Sequence, residues 1–156
     1  MRIKLTPDFN EDDIQKEIEK FFSRVIAVTK NELDYLAFEI ITDARNKTKA
    51  IGGFDDDSGN LWSSIGFILM YDGEVLHEDF KESNQGSDRA TGVEVGRKMA
   101  GDIAKENPEG WAIVIVAGMN YASWVEAKGY DVISGSTLIP EARLAQVLKN
   151  IEKAFK

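Results

Sequence analysis

The sequence predicts one α+β domain: a long N-terminal helical region, a small, mostly antiparallel sheet with a β-hairpin, a middle helix and a C-terminal helix. Three observations predict this class. Apolar residues recur every three or four positions over residues 10–50, as along an amphipathic helix. Apolar runs at residues 65–71 and 111–119 have the length of strands. Asp72-Gly73, directly after the first run, is a typical hairpin turn.

The N-terminal region is predicted from local signals. Residues 1–5 alternate in polarity and are expected to form a short edge strand or an ordered lead-in. Asn10 is the predicted N-cap of a helix, because three acidic residues follow it. The apolar periodicity then runs to Ala44, which predicts one long helix or two successive helices over residues 10–50.

The rest of the single domain, residues 1–156, divides into a sheet region at residues 61–119 and C-terminal helices at residues 121–156. In order, the patterns predict the following elements: a loop at 53–60, a strand at 61–71, its hairpin partner at 74–77, a middle helix at 91–105, a strand at 111–118, a short helix at 121–128 and a closing helix at 140–155. The strand at 111–118 is the most apolar and is predicted to be central.

Small residues line one face of the predicted middle helix. Gly92, Gly96 and Ala100 lie four positions apart, so they share a face that a backbone could approach closely. Outside a membrane, this pattern favours packing on a sheet over a dimer motif.

Composition excludes several functional classes. The 156 residues include no cysteine, which removes disulfides, cysteine-ligated metals and thiol catalysis. The net charge of −8 argues against nucleic-acid binding by phosphate neutralisation. The apolar runs are far shorter than the roughly 20 residues that cross a bilayer, so no membrane partner is expected.

The sequence contains no set of residues that predicts catalysis or a cofactor. The acidic run at residues 55–60 lacks the oxygen-donor spacing of a calcium loop, and a solvated turn is the better interpretation. His77 is the only histidine, and no Gly-x-Ser-x-Gly motif accompanies it. We therefore expect no enzyme and no cofactor. The alternative is a small cytoplasmic ligand-binding or enzymatic domain with an acidic site near Asp55 to Asp57 or Glu78.

Three segments, in order, resemble one protein family. Residues 58–65, Ser-Gly-Asn-Leu-Trp-Ser-Ser-Ile, resemble the TGNLRxSI segment of the minor tail component, or neck, family of lambda-like tailed phages. Residues 121–126, Tyr-Ala-Ser-Trp-Val-Glu, are similar to that family's YAxxVExG segment. Residues 139–143, Ile-Pro-Glu-Ala-Arg, precede the last helix much as the family's PFLRPAL does.

The resemblance implies a virion protein at the head-tail interface or in the tail. Its partners would be copies of itself in a ring, head-completion or connector proteins, and tail-tube proteins, while DNA passes the lumen without specific binding. The protein would be made in the bacterial cytoplasm and act mechanically. Another possibility is an accessory protein of a mobile element that binds one host partner through its aromatic residues.

Four residues are the candidate interface residues: Trp62, Tyr121, Trp124 and Glu126. Tyr121 and Trp124 are three positions apart on a predicted short helix, so they are expected to share a face. That face could pack on the sheet or anchor a neighbouring subunit.

Overall fold

The computed structural model describes residues 10–47 and 49–155, and it has the predicted α+β fold. The elements, in order, are α1 (Glu11–Asn46), α2 (Asn60–Ser64), β1 (Ile65–Tyr71), β2 (Glu74–Asp79), α3 (Arg89–Ala104), β3 (Trp111–Ala117), α4 (Ala122–Ala127) and α5 (Ile139–Lys153), with 3₁₀ turns at Lys49–Ile51 and Ser134–Leu138. The strand or lead-in expected at residues 1–5 lies outside the described residues.

The N-terminal region is a single helix of 36 residues rather than two. Asn10 is its N-cap, as predicted, and its side-chain oxygen accepts a hydrogen bond from the backbone N–H of Asp13 at 2.9 Å. The acidic first turn complements the positive end of the helix dipole. The helix ends where Lys47 adopts an extended conformation.

The sheet is antiparallel with strand order β2-β1-β3, so the prediction that the strand at residues 111–118 is central was wrong. β1 occupies the centre, and β3 lies at an edge. Both strands are almost wholly apolar. Such a composition indicates that both faces of the sheet are covered, but it does not indicate which strand lies in the middle. The predicted hairpin is confirmed, with Asp72 and Gly73 both at positive φ.

The sheet lies between helices on its two faces. On one face, β1 residues such as Phe67 and Leu69 pack with Ala37 and Ile41 of α1. On the other face, Ile68 and Met70 pack with a second cluster that includes Ala100 of α3. The helix α5 then packs along α1, where Val147 is buried with Leu36 and Ile40. The fold therefore has three layers, with β1 buried on both sides.

The strand predicted at residues 61–71 begins four residues late, because residues 60–64 form the short helix α2. The carboxylate of Asp56 accepts hydrogen bonds from the backbone N–H groups of Gly59 at 3.0 Å and Trp62 at 2.6 Å. These bonds satisfy N–H groups at the start of α2 that a helix leaves free. Gly59 has a φ of 74°, which favours glycine at this corner.

The small-residue face of α3 packs within the domain, as predicted, but its glycines meet α2 rather than the sheet. A Cβ on Gly92 would overlap the backbone oxygen of Asn60, and a Cβ on Gly96 would overlap that of Ser64. Ala100, one turn further, contacts the sheet cluster. Among the helices of residues 10–47 and 49–155, none has the length and apolar content needed to cross a membrane.

Candidate interaction surfaces

Side-chain bonds join the first two of the three family-like segments. The side chain of Asn60 accepts a hydrogen bond from the Tyr121 hydroxyl and donates one to Asp88 at 3.1 Å. Burial, together with the nearby Asp56 carboxylate, raises the pKa of Tyr121 above its usual value, so the phenol keeps its proton. Asn60 and Tyr121 thus fix the position of α4 against α2.

Glu126 connects the second segment to the chain before α5. Its carboxylate accepts hydrogen bonds from the backbone N–H groups of Ile133 and Ser134, both at 2.9 Å, and from the Ser134 hydroxyl at 2.8 Å. Burial opposes ionisation, but these donors outweigh it and hold the pKa of Glu126 below its usual value. The oxygens of this candidate interface residue are therefore engaged within the chain.

A second polar contact fixes the same turn to the end of α1. The ammonium of Lys47 lies 2.6 Å from Asp131 and 2.7 Å from the Ser136 hydroxyl. Burial is again the largest single influence on the pKa of Asp131 and raises it. The hydrogen bonds from Lys47 and from the backbone N–H of Gly135 outweigh burial, so the pKa of Asp131 is lowered overall. Pro140 then lies in the first turn of α5, a position that proline tolerates.

Acidification is expected to destabilise the fold partly through Glu126. Because its pKa in the folded chain is depressed, its contribution is fully present above the ordinary pKa of Glu, about 4.3, and is lost as pH falls through the folded value. A Glu126→Gln variant should therefore be less stable than the parent at neutral pH and lose less stability between pH 5 and pH 3. Urea unfolding across this range measures both effects.

The matched control for that experiment is Glu109→Gln, which changes an exposed carboxylate in the turn before β3. Its unfolding free energy should follow the parent curve at every pH. If the Glu126→Gln curve also ran parallel to the parent curve, the hydrogen-bonded carboxylate would not contribute as its geometry indicates.

Of the four candidate interface residues, only Trp124 presents a large exposed apolar surface. Trp124 is 62% exposed, and the ammonium of Lys128 lies 5.0 Å from its ring centroid. Trp62 faces inward: its indole N–H donates to the carbonyl of Arg45 at 2.8 Å. Tyr121 is half-buried, so it does not share an exposed face with Trp124.

An apolar surface that sequence reasoning missed lies on the first turns of α1. Ile14, Ile18 and Phe22 are 43%, 45% and 59% exposed and lie on one side of the helix, and we call these three residues the α1 stripe. Their periodicity predicts a core face, and further along the helix that face is indeed buried. No described residue packs over the stripe strongly enough to bury it.

A second exposed apolar row lies on α5. Leu144, Leu148 and Phe155 are each about half exposed, and we call them the α5 ridge. The Phe155 ring contacts Phe21 edge to face, with the ring centroids 5.8 Å apart. Phe21 adjoins the α1 stripe, so the two apolar surfaces come close together at the end of α5.

The acidic loop forms a polar cleft of about 620 Å³, lined in part by Asp55, Asp56 and Asp57. Asp56 is engaged with the backbone of α2, and Asp55 pairs with Lys49. In the chain from residue 10 to 155, apart from residue 48 and the side chains of residues 141 and 142, no group of three or more acidic or histidine side chains is arranged to hold a metal.

The single histidine lies on β2, where its Nδ1 is 2.8 Å from an Asp34 oxygen. In the part of the chain that the structure describes, no serine hydroxyl forms a hydrogen bond with His77 or Asp34 that would make a catalytic triad.

Comparisons with protein-family models, curated proteins and solved structures give no match for this chain.

Proposed function

We propose that this chain is a structural protein of a tailed phage or prophage that joins the head to the tail or completes the tail. The observation that carries the proposal is the ordered set of segments at residues 58–65, 121–126 and 139–143 that resemble the minor tail component, or neck, family. Asn60 and Glu126, from two of these segments, make the contacts that organise this part of the fold.

The exposed apolar surfaces support a role in assembly. The α1 stripe, the α5 ridge and Trp124 expose large apolar side chains, which in groups are typical of protein–protein contacts. These surfaces would serve contacts between copies in a ring and with connector or tail-tube proteins. The net charge of −8 is compatible with a lumen that repels DNA and does not bind it specifically.

A ligand-binding or enzymatic role with an acidic site has weaker support. Its best candidate is the polar cleft at the acidic loop, where Asp56 holds backbone N–H groups and Asp55 forms an ion pair. Carboxylates used in this way stabilise the loop conformation. They do not converge on one point, as the groups of a site for acid–base chemistry must.

An early stop codon in this gene, in the parent phage or induced prophage, tests the proposal. Electron microscopy of the lysate should show filled heads and tails lying apart, or tails with abnormal ends, because the joining layer is missing. Supplying the intact gene in trans should restore joined, infectious particles, which controls for effects on neighbouring genes.

Intact infectious particles from the stop-codon mutant would overturn the proposal. The ligand-binding alternative would then be tested by thermal melting of the purified chain with divalent ions, since a ligand that binds only the folded chain raises its melting temperature.

A further inference from the structure

We infer that β3 accepts an extended segment of a partner protein as a fourth strand of the sheet, beside β3 and beneath α5. This binding would take place on the purified chain in solution, so it does not depend on the proposed function. Two features of the structure support it: the outward backbone groups of β3 and the exposed side of α5.

Alternate residues of β3 direct their backbone groups away from the sheet. Just outside the two ends of the strand, the carbonyl of Gly110 accepts from Asp72 at 3.0 Å, and the N–H of Gly118 donates to Ser64 at 3.1 Å. Because bonded positions alternate along an antiparallel pair, the even-numbered residues of β3 bond to β1. The odd-numbered residues direct N–H and C=O outward: Trp111, Ile113, Ile115 and Ala117. Among residues 10–47 and 49–155, no hydrogen bond reaches these outward groups.

The two edges of the sheet differ in how they are protected. β2, at the opposite edge, carries the carboxylates of Glu74, Glu78 and Asp79, and its pairing with β1 includes a register shift. Charges and bulges of this kind discourage the addition of another strand. The seven residues of β3 are all hydrophobic, and its pairing with β1 is regular throughout. β3 is therefore the edge that is suited to further pairing.

The exposed side of α5 faces the layer of the sheet. Val147 packs on α1, while Arg143 and Asn150, about 40° and 60° round α5 in one direction, pair with the side of α1 that lies away from the sheet. Leu144 and Leu148 of the α5 ridge lie about 60° and 100° round in the other direction. They therefore face the sheet layer, yet both are about half exposed, because no strand lies beneath them.

A fourth strand would fill this open place. α1 lies over β1, and packed helices are about 8–10 Å apart, whereas neighbouring strands are about 4.8 Å apart. α5 thus lies about two strand positions from β1. It is on the β3 side, since Ile115 of β3 and Ile151 of α5 pack against the same cluster. A strand one position beyond β3 would bond to the outward backbone groups and cover the leucines of the α5 ridge.

The position of α5 also indicates that the added strand carries no helix of its own. A second copy that paired antiparallel through its own β3 would bring its α5 to about 5 Å from the first, where helices need about 8–10 Å. A parallel β3 pair reverses the faces and would bring the second copy's α3, which packs over β1 and β3, against α5. Pairing through β2 would place carboxylates beneath the α5 ridge. An isolated extended segment, apolar on the side that faces α5, meets none of these obstacles.

Residues 1–9 of the same chain cannot lie along β3. In the cluster that includes Ile115, the first residue of α1 is Leu33, which is 23 residues after residue 10. At 1.5 Å per residue, this distance is about 34 Å along the helix. Nine residues span at most about 32 Å when fully extended. They could touch no more than the end of the strand, so the added segment comes from another molecule.

Hydrogen exchange with a synthetic peptide tests the inference. The probe is a nine-residue peptide in which threonine and valine alternate between terminal lysines, added to the full chain. By NMR, the four outward amides of β3 should exchange fast without peptide, whereas the even-numbered amides should be slow throughout. With peptide at ten times its dissociation constant, exchange of the outward amides should slow about 10-fold, because only the unbound fraction exchanges. A peptide of equal charge with two central prolines should change neither set.

Two pairs of variants test the edge and the α5 ridge. Ile113→Pro removes an outward N–H and no bond to β1, so the chain should still fold. It should bind the peptide about 10-fold more weakly than Ile113→Ala, which loses packing but keeps the N–H. Leu148→Asp should weaken binding ~10-fold or more, since it places a carboxylate against the apolar side of the segment. Gln146→Asp, about 160° round α5, should leave binding unchanged.

Three results would overturn the inference. The first is a peptide that does not bind the parent chain, or that binds without slowing exchange of the four outward amides. The second is equal peptide binding by Ile113→Pro and Ile113→Ala. The third is outward amides that are already protected without peptide. Protection that appears only at high protein concentration would assign the edge to a second copy, and protection at every concentration would assign it to the chain itself.

Discussion

Replacing Arg45 with methionine is expected to lower the free energy of unfolding by about 3 kcal/mol, because it leaves a buried carboxylate without its main partner. The side chains of Arg45 and Asp79 are only 6% and 7% exposed, and Nη1 of the guanidinium lies 2.8 Å from Oδ1 of the carboxylate. The guanidinium also donates to the carbonyl of Ile65 at 2.6 Å. Lys81 still reaches Asp79 at 2.6 Å, which places the loss at the lower end for a broken buried pair. Urea unfolding measures it.

Arg97→Met provides the matched control. Arg97 and Glu78 form an ion pair of the same length, 2.8 Å, but their side chains are 50% and 38% exposed. The expected loss is therefore under about 1 kcal/mol. The double change Arg45→Met with Asp79→Leu should recover much of the stability, since it removes both buried charges. Equal losses in Arg45→Met and Arg97→Met would contradict the predicted difference between buried and exposed pairs.

The Arg45 contacts also decide what Trp62 can do. The guanidinium lies 4.9 Å from the Trp62 ring centroid, and the indole N–H bonds to the Arg45 carbonyl. Trp62 therefore connects α2 to the end of α1. A partner protein could reach only its remaining exposed edge, whereas Trp124 offers most of its ring.

Much of the fold could be predicted because its signals are local. Asn10 and the acidic residues after it mark the start of α1, and Asp72-Gly73 marks the hairpin. The apolar periodicities place α3 and α5 within two residues of their observed bounds. In each case, residues close in sequence determine the backbone conformation, so no knowledge of tertiary packing is needed.

The features that sequence reasoning missed depend on distant residues. β1 is central because it pairs with β2 in the hairpin and also with β3. The pairing with β3 joins residues that are distant in sequence. Residues 60–64 form a helix partly because Asp56 reaches forward to hold the N–H of Trp62 and partly because α3 lies close behind. The apolar content of residues 60–64 predicts only that they are buried, and either a strand or a short helix could bury them.

The role of the four candidate interface residues stays a prediction. The structure exposes Trp124, whereas Tyr121 and Glu126 are largely engaged within the chain. The α1 stripe was missed because an amphipathic pattern looks the same whether its cover comes from the same chain or another. Helix lengths carried a usable signal: at 1.5 Å per residue, the 36 residues of α1 span about 54 Å and the 15 residues of α5 only about 23 Å.

Replacing Gly96 with alanine is expected to lower the free energy of unfolding by about 2 kcal/mol or more, since α3 approaches α2 too closely for a side chain. A Cβ at this position would overlap the backbone oxygen of Ser64 and press on the Phe80 ring. Likewise, a Cβ on Gly118, the residue after β3, would overlap the Cα of Gly96. Because the obstacles include backbone atoms held in a hydrogen bond from Gly118 to Ser64 at 3.1 Å, they cannot move aside cheaply.

Gly101→Ala, on the same helix, separates this steric effect from the general effect of removing a helical glycine. Open space surrounds a Cβ at position 101, so alanine there should stabilise the chain by about 0.5–1 kcal/mol through its helix propensity. Thermal or urea unfolding of both variants should therefore give changes of opposite sign. If Gly96→Ala were also stabilising, α2 could move away from α3 without loss of stability. The close contact between α2 and α3 would then not determine the position of Asn60 and its neighbours.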